Sequence, residues 1–289
     1  MNGRILFSII IPLYNKEKTV KRTLQSILTQ SYRDFEVVVV DDGSKDKSYE
    51  VVKSIADNRV KLFSKTNGGV SSARNFGLQK AQGKWTMFFD ADDEMESMAL
   101  ENFYNAIKKY TNIKIFVSNF YVVDDQMRIT SYSKKKKPYL IQNPIKAIWY
   151  RDIYIRPGNT IFHAHLLELQ GGYDEDLSYN EDYEFSLRIL SYRKVMYLPF
   201  ISMRYIKNID GASSFVHPLI KDFISKVDTL ALDSLYKKLI VFGLVKFAKK
   251  QRPQEDVVFL NRLLHSNFSS WFWNCYLYNL IKRKIRRFL

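Results

Sequence analysis

Residues 85–93 read WTMFFDADD, an apolar run that ends in three carboxylates within four positions. An apolar run bounded by polar residues is typical of a buried strand. Carboxylates this close together repel one another unless a cation or hydrogen-bond donors compensate. Because Mg²⁺ is held by one or two carboxylates together with phosphate oxygens, this strand end suits a metal–nucleotide complex. A solvated acidic turn explains the stretch alone equally well, so its neighbours must decide.

Strand patterns alternate with helical patterns over the first 110 residues or so. The runs FSIIIP (7–12) and FEVVVV (35–40) indicate strands that are buried on both faces. This alternation predicts βαβ units and a mainly parallel sheet flanked by helices. Ligands bind beyond the carboxyl ends of such strands. We therefore expect Asp41, Asp42 and the 90–93 carboxylates to line one cleft.

The composition indicates a packed protein with an affinity for anions. The 289 residues suffice for one large α/β domain plus a smaller appendage, and a hydrophobic share of 46% argues against disorder. The formal charge of +15 predicts contact with nucleic acid, an anionic membrane surface or nucleotide phosphates. Cys275 is the single cysteine, which favours a reducing compartment.

Several classes of protein are disfavoured by missing signals. A secretory signal pattern and a long uncharged apolar stretch are both absent, which predicts a cytoplasmic protein that contacts the inner face of the cell membrane only peripherally. No Gly-x-Gly-x-x-Gly follows the first strand, as a Rossmann dinucleotide enzyme would require. No recognised nucleic-acid module occurs, so nucleic acid is not an expected partner.

The chain is predicted to divide into an α/β domain (1–215) and a helical C-terminal region (216–289). Residues 271–281 are rich in aromatics and lead into a basic cluster at 282–287, a pattern that favours an interfacial membrane anchor. The alternative is a terminal helix that packs on the α/β domain through its aromatics. The run of four lysines at 134–137 is interpreted as a solvated loop rather than a phosphate or lipid contact.

Five short motifs stand in a fixed order along the chain. They are IPLYN (11–15), VDDGS (40–44), NGG (67–69) continuing to ARN (73–75), FDADD (89–93), and GGYD (171–174) with Glu181, Asp182 and Arg188 after it. The ordered set closely resembles the family 2 inverting glycosyltransferases of the GT-A fold. The resemblance implies a Rossmann-like, mainly parallel α/β sheet, a nucleotide-sugar donor, and Mg²⁺ or Mn²⁺ as cofactor.

The resemblance also assigns residues to the donor. In the family, the residues that match Pro12, Tyr14 and Asn15 border the nucleotide. The aspartate that matches Asp42 pairs with the base, usually uracil. The arginine that matches Arg74 lies near the nucleotide-sugar.

The acidic motifs receive roles in the same way. Asp90 matches a carboxylate near the ribose and sugar, Asp92 matches the main metal ligand, and Asp182 matches the catalytic base. From the residues alone, Glu181 and Asp182 are explained by the preference of a first helical turn for carboxylates, with Asn180 as the cap. Many relatives carry a histidine where this chain has Asn208, so no metal ligand beyond the acidic triplet is implied.

The resemblance implies transfer of a sugar from UDP-hexose or UDP-N-acetylhexosamine to a hydroxyl of a saccharide or lipid-linked saccharide, in bacterial surface-polysaccharide assembly. One alternative is a membrane-surface binding protein that keeps a degenerate transferase fold. A nucleotidyltransferase is another, against which the 181–182 segment argues. His163 and His165 are interpreted as a strand pair rather than a metal site, since no further ligand is near in sequence.

Overall fold

The computed structural model describes residues 5–124, 126–191, 193–207, 218–229, 232–251 and 254–288. The strands are β1 Phe7–Leu13, β2 Phe35–Asp41, β3 Val60–Ser64, β4 Trp85–Phe88, β5 Glu94–Met95, β6 Ile115–Val123, β7 Ile129–Ser131, β8 Tyr139–Ile141, β9 Thr160–His163 and β10 Val195–Ile206. The helices are α1 Val20–Leu28, α2 Ser48–Lys53, α3 Gly69–Lys80, α4 Ala99–Lys109, α5 Pro144–Tyr150, α6 Ala164–Gln170, α7 Glu181–Ile189, α8 Leu235–Gln251, α9 Gln254–Asn267 and α10 Ser270–Phe288.

The strands form one mixed sheet, which has the order β3-β2-β1-β4-β9-β6-β10-β5, with β7 beside β6 and β8 beside β10. β1 pairs in parallel with β2 and β4, as the alternating pattern predicted. β9 is antiparallel to both of its neighbours, β4 and β6. Two reversals restore the direction, so β6 and the parallel β10 end at the same edge of the sheet as β1, β2 and β4. That edge holds the predicted site.

The central strands are buried on both faces, which explains their unbroken β-branched runs. Ile9 and Ile11 pack in one hydrophobic cluster with α1 and α4, whereas Ile10 packs in the other cluster with α3. This division follows the two-residue period of a strand. Gly77 of α3 lies against Ile10, since a β-carbon there would collide with the Ile10 side chain. α3 is therefore held close to the sheet.

The C-terminal helices α8, α9 and α10 belong to the same hydrophobic cluster as α5 and α7. Phe272 and Tyr276 of α10 pack on Phe242 of α8, with ring centroids 5.4 and 4.7 Å apart. Tyr276 also contacts Trp149 of α5 at 5.7 Å. These aromatics thus lie inside the protein. Among the described helices, none combines the length and apolar content needed to cross a membrane.

Candidate active site

A large cleft, about 1480 Å³ in volume, opens where β1, β2, β4, β6 and β10 end. Ligand pockets usually measure roughly 300–1,000 Å³, so the cleft has room for two substrates. Seven of the eight residues predicted for the site line it, namely Pro12, Tyr14, Asp42, Arg74, Asp90, Asp92 and Asp182. The cleft therefore brings together predicted residues that lie up to 170 positions apart in sequence, from Pro12 to Asp182.

Asn15, the eighth predicted residue, joins two loops beside the cleft. Its backbone adopts a left-handed conformation with φ 52°, which asparagine tolerates better than most residues. Its N–H donates to Ser44 Oγ at 3.1 Å, and its Oδ1 accepts from the N–H of Lys45 at 2.8 Å. These bonds hold the loop after β1 against the loop after β2. A contact between Asn15 and the nucleotide stays a prediction.

Asp42 fixes the turn at 67–69 to the end of β2. Its carboxylate is 2% exposed and accepts the N–H groups of Gly68 and Gly69 at 2.9 and 2.7 Å. Lys65 Nζ donates to the same carboxylate at 2.9 Å. A carboxylate offers about four acceptor positions, so one remains for a ligand. Pairing of Asp42 with a base is compatible with this arrangement but stays a prediction.

Arg74, which projects from α3, joins three carboxylates in the middle of the cleft. It is 3% exposed and donates to Asp90 at 3.2 Å, to Asp182 at 3.2 Å and to Glu181 at 3.3 Å. Its guanidinium also stacks over the Tyr173 ring at 4.6 Å. Burial alone would lower the pKa of Arg74, but Tyr173 and the three carboxylates outweigh burial and raise that pKa. The arginine thus stays charged and ties the predicted base to the predicted sugar-side carboxylate.

Glu181 is more than a helix-capping carboxylate. Its side chain is 14% exposed. Burial, followed by the neighbouring charge of Asp182, raises the pKa of Glu181 to about 7. Burial and the charge of Asp92 likewise raise the pKa of Asp90, although Arg74 opposes this shift. A proton held by Glu181 near neutral pH reduces its repulsion with Asp182.

The carboxylates of Asp90, Asp92 and Asp93 contact three different partners and do not form one cluster. Asp90 pairs with Arg74, whereas Asp92 Oδ2 lies 2.6 Å from Lys16 Nζ. Asp93 is 1% exposed, and its Oδ1 accepts the N–H of Ile206 at 3.0 Å. Burial raises the pKa of Asp93 well above its usual range. Asp93 therefore connects this loop to β10, and only Asp90 and Asp92 line the cleft.

The donor set suits a metal that arrives with a nucleotide. Within the described ranges, no three His, Cys, Asp or Glu side chains cluster as a metal site. Mg²⁺ requires only one or two carboxylates when phosphates complete its shell, which Asp92 and Asp90 could supply. Asn208 lies outside the described residues, whereas Lys207 lines the cleft. His163 packs edge-to-face on Trp85 at 5.2 Å, within the sheet.

Two cationic residues of the site were not singled out from the sequence. Lys16 is paired with Asp92, as described above. Arg156 lines the cleft and stacks over Tyr205, with its guanidinium 3.4 Å from the ring centroid. The charges of Asp93 and Asp90 raise the pKa of Arg156 against the opposing effect of burial. Neither residue belongs to a recognisable spacing pattern, so only their positions in space identify them.

The comparison with known sequences identifies the family. Residues 8–165 match the sequence profile "Glycosyl transferase family 2". The chain belongs to this family.

Three curated relatives illustrate the match. An uncharacterized glycosyltransferase of Haemophilus influenzae is 40% identical over 136 residues, which cover 45% of this chain and 54% of that protein. The uncharacterized glycosyltransferase EpsJ of Bacillus subtilis is 30% identical over a match that covers 63% of this chain and 55% of that protein. The minor teichoic acid biosynthesis protein GgaA of Bacillus subtilis is 30% identical over a match that covers 64% of this chain and 43% of that protein. The chain spans about half the length of the curated relatives it matches.

Solved structures confirm the fold. S. aureus TarS 1-349 in complex with UDP-GlcNAc superposes with a TM-score of 0.68 at 20% identity, over 96% of this chain and 80% of that chain. The same fragment in complex with UDP gives a TM-score of 0.65 at 23% identity, over 85% and 72%. The predicted GT-A architecture, a mainly parallel sheet flanked by helices with a helical C-terminal extension, is confirmed.

Proposed function

We propose that this chain is an inverting glycosyltransferase that moves a sugar from a UDP-linked donor to a hydroxyl of a saccharide or lipid-linked saccharide. The donor is a UDP-hexose or UDP-N-acetylhexosamine. The product belongs to a cell-surface polysaccharide. Two of the similar proteins support this direction: TarS has been crystallised with UDP-GlcNAc, and GgaA acts in teichoic acid biosynthesis.

The contact network of Arg74 carries the proposal. Arg74 bonds both to Asp90, on the predicted donor side, and to Asp182, the predicted base. An inverting transfer needs a base on the acceptor side, opposite the leaving nucleotide. Arg74 thus holds these two carboxylates near each other in the lining of the cleft. Fixed positioning of both partners is itself a large part of catalysis.

The proposed reaction is a single displacement at the anomeric carbon. The acceptor oxygen forms a bond to that carbon while the bond from the carbon to the UDP oxygen breaks. Asp182, whose side chain is 38% exposed, takes the hydroxyl proton. Arg74 orients the carboxylate of Asp182, and a positioned base of this kind typically contributes about 10²–10⁴-fold.

A divalent metal is part of this proposal. Asp92 would hold it, with Asp90 nearby, and Mg²⁺ or Mn²⁺ bound there would neutralise charge on the leaving diphosphate. Lys16 Nζ donates to Asp92 Oδ2 at 2.6 Å. The lysine therefore already places a positive charge beside the proposed metal ligand. Lys16 and Lys207 both line the cleft and could contact phosphate oxygens.

We also propose a peripheral contact with the cytoplasmic face of the membrane. Leu277, Tyr278 and Ile281 of α10 are 48%, 58% and 58% exposed, on the side away from Phe272 and Tyr276. Lys282 lies next to them, with Nζ 4.4 Å from the Tyr278 ring centroid. Apolar and aromatic side chains beside a cation suit the headgroup layer of an anionic membrane.

The test measures UDP released from UDP-GlcNAc, UDP-glucose and UDP-galactose, with Mn²⁺ present and with water or a supplied saccharide as acceptor. Asp182→Asn is expected to lower turnover about 10²–10⁴-fold, since an amide cannot take the proton. Its affinity for UDP should match that of the wild type. Asp34→Asn is the matched control, since Asp34 is exposed and does not line the cleft.

Full turnover by Asp182→Asn would remove the base assignment. Failure of the wild-type protein to release UDP from any of the donors would contradict the proposed activity. A protein that binds membranes but no nucleotide would instead fit a degenerate transferase fold.

A further inference from the structure

The cleft extends well beyond the predicted donor residues. The strand order places β2 and β1 toward one side, and β6 and β10 toward the other, with β4 and β9 between them. Neighbouring strands lie about 4.8 Å apart, so β2 and β6, four steps apart in the order, are separated by roughly 19 Å. We call the lining contributed by residues 12–16, 42, 67–74 and 90–92 the proximal half. We call the lining contributed by residues 120–135, 150–156 and 205–207 the distal half.

The two halves differ in charge. In the proximal half, Lys16 and Arg74 are each paired with a carboxylate, Asp92 and Asp90 respectively. The distal half contains five basic side chains and one carboxylate, which are Lys134, Lys135, Arg151, Arg156, Lys207 and Asp152. The distal half is therefore strongly positive while the proximal half is nearly balanced.

Three of these distal cations have no ion-pair partner among the described residues. Lys134, Arg151 and Lys207 are exposed, and none of them forms an ion pair with any residue in the part of the chain that the structure describes. Lys135 Nζ lies 3.9 Å from Asp152 Oδ1, a long ion pair, and 5.0 Å from the centroid of the Tyr139 ring. Cations that line a concave surface without partners attract anionic ligands. Pairing with the described carboxylates therefore does not account for this charge.

Aromatic side chains line the same half of the cleft. Tyr132 stacks on Phe120 with ring centroids 4.9 Å apart and an angle of 15° between the rings. Tyr154 packs beside both, 5.7 Å from Tyr132 and 6.4 Å from Phe120. Aromatic faces provide apolar area for the C–H face of a sugar ring. The distal half thus combines a surface for sugar rings with a surface for anions.

The predicted base lies where the two halves meet. Asp182 contacts Arg74 of the proximal half at 3.2 Å. Asp182 and its neighbour Tyr183 line the same cleft as Tyr154 of the distal half. A chain bound in the distal half would therefore bring its end to Asp182, as an acceptor must.

We propose that the distal half binds an acceptor chain that carries anionic groups, phosphodiester or carboxylate, along its sugar units. This proposal rests on the transfer proposed above and names the chemical class of its acceptor. Lys134 and Arg151 contact the anionic groups, and the Tyr132 and Tyr154 rings contact the sugars. The donor diphosphate is proposed to lie beside Asp92, which follows β4, two strands from β6 in the sheet order. Lys207 is a proposed contact of that diphosphate, whereas Lys134 and Arg151 are assigned to the acceptor.

The experiment is a calorimetric titration of the full chain, saturated with UDP and Mn²⁺, with three oligomers of matched length. They are an oligomer of glycerol phosphate, an oligogalacturonate and a neutral dextran. One anionic oligomer is expected to bind about tenfold or more tightly than dextran. Its affinity should fall as salt rises, because exposed charges are screened. Which anionic oligomer binds distinguishes phosphodiester from carboxylate acceptors.

Variants locate the binding. The double variant Lys134→Gln, Arg151→Gln is expected to bind the anionic oligomer about three- to tenfold more weakly, as for two partly exposed ion pairs, while UDP affinity stays the same. Lys136→Gln, Lys137→Gln is the matched control, since it removes the same charge from the same stretch outside the cleft lining.

The proposal would be overturned by dextran binding as tightly as the anionic oligomers, or by no oligomer binding to the UDP complex. It would also be overturned if the control variant lost as much affinity as the double variant. Failure to bind UDP would count against the transferase proposal instead, so the two failures are distinguishable.

Discussion

Asn180 Nδ2 donates a hydrogen bond of 2.9 Å to Asp222 Oδ1, which lies 42 residues further along the chain. Asp222 is fully buried and also accepts the N–H of Ile224 at 3.2 Å. Asn180, with φ 58°, occupies the predicted N-cap position of α7, and its backbone carbonyl accepts the N–H of Glu184 at 3.3 Å. Its side chain makes no capping hydrogen bond, because it is used in the bond to Asp222. The position of Asp182 depends on a segment outside the five motifs.

The hydrogen bond between Asn180 and Asp222 can be tested by exchanging the amide and the carboxylate between the two positions. Asn180→Asp places two carboxylates together in a buried site, so we expect turnover to fall about tenfold or more and the unfolding temperature to drop. The double variant Asn180→Asp, Asp222→Asn restores one donor and one acceptor and should regain most of the activity. UDP affinity should change little in either variant, since the proximal half is unaltered.

Steady-state kinetics with a UDP-sugar and thermal unfolding test the exchange. An effect confined to kcat, with KM for the donor unchanged, indicates a positioning role for Asp222. A double variant no better than Asn180→Asp would contradict that role.

The pair formed by Lys16 and Asp92 predicts a competition between lysine and metal. Lys16→Gln removes a cation from Asp92 Oδ2, so Mn²⁺ should bind about two- to fivefold more tightly in the absence of nucleotide, the effect expected of a partly exposed ion pair. Calorimetric titration with MnCl₂ measures this affinity. Lys18→Gln, an exposed neighbour outside the cleft lining, should leave it unchanged. Equal affinity in the Lys16 variant and the wild type would show that Lys16 does not compete.

The raised pKa of Glu181 predicts how stability depends on pH. The folded protein binds a proton on Glu181 up to a pKa of about 7, above the ordinary value of 4.5, so it holds this proton more firmly than the unfolded chain. Ionisation of Glu181 therefore costs stability as pH rises from about 4.5 through 7. Between pH 5 and pH 8, we expect the wild type to lose about 2 kcal/mol relative to Glu181→Gln.

Urea unfolding at the two pH values measures the difference in the free energy of unfolding. Glu50→Gln, an exposed change in α2, serves as the control and should follow the wild type. A constant difference between wild type and Glu181→Gln across this range would show that Glu181 ionises normally.

The exposed face of α10 predicts binding to anionic liposomes. A triple change of Leu277, Tyr278 and Ile281 to serine removes apolar area without touching the packed side of the helix, so binding should weaken about tenfold or more. Changes to serine at Ile129 and Leu169, which are 53% and 64% exposed elsewhere, form the control. Flotation with vesicles of phosphatidylglycerol measures the effect. Unaltered flotation of the triple variant would eliminate this surface as the anchor.

The first half of the sheet was predictable because its signals are local. Residues 9–11 and 37–40 are continuous β-branched runs, and such runs form strands buried on both faces whatever lies next to them. The parallel pairing of β1, β2 and β4 follows from the helices between them. The collection of Asp42, Asp90 and Asp92 in one cleft follows in turn, since parallel strands end at one edge.

The contacts of the acidic triplet were not predictable. Asp93 turns toward the N–H of Ile206, and nothing near Asp93 in sequence indicates that β10 passes beside it. The same holds for Arg156, since its place over Tyr205 depends on how β9 inserts between β4 and β6. Such side chains are positioned by contacts between residues far apart in sequence. The periodicity of apolar residues along the chain does not reveal those contacts.

The C-terminal aromatics show a further limit. Periodicity identifies an apolar face on α10 but does not say what covers it. Tyr276 packs on Trp149 of α5, as the alternative of a helix packed on the α/β domain predicted, and Phe272 and Tyr276 also pack on Phe242 of α8. The remaining exposed side chains leave the membrane anchor a prediction.

The most direct test of the central claim is a calorimetric titration of the protein with UDP, GDP and dTDP, each with Mn²⁺ and each with EDTA. We expect UDP to bind with Mn²⁺, and we expect EDTA to abolish this binding. Asp92→Asn should weaken the same binding, since Asp92 is the proposed metal ligand. A folded protein that binds none of the three nucleotides would contradict the assignment of the cleft as a nucleotide-sugar site.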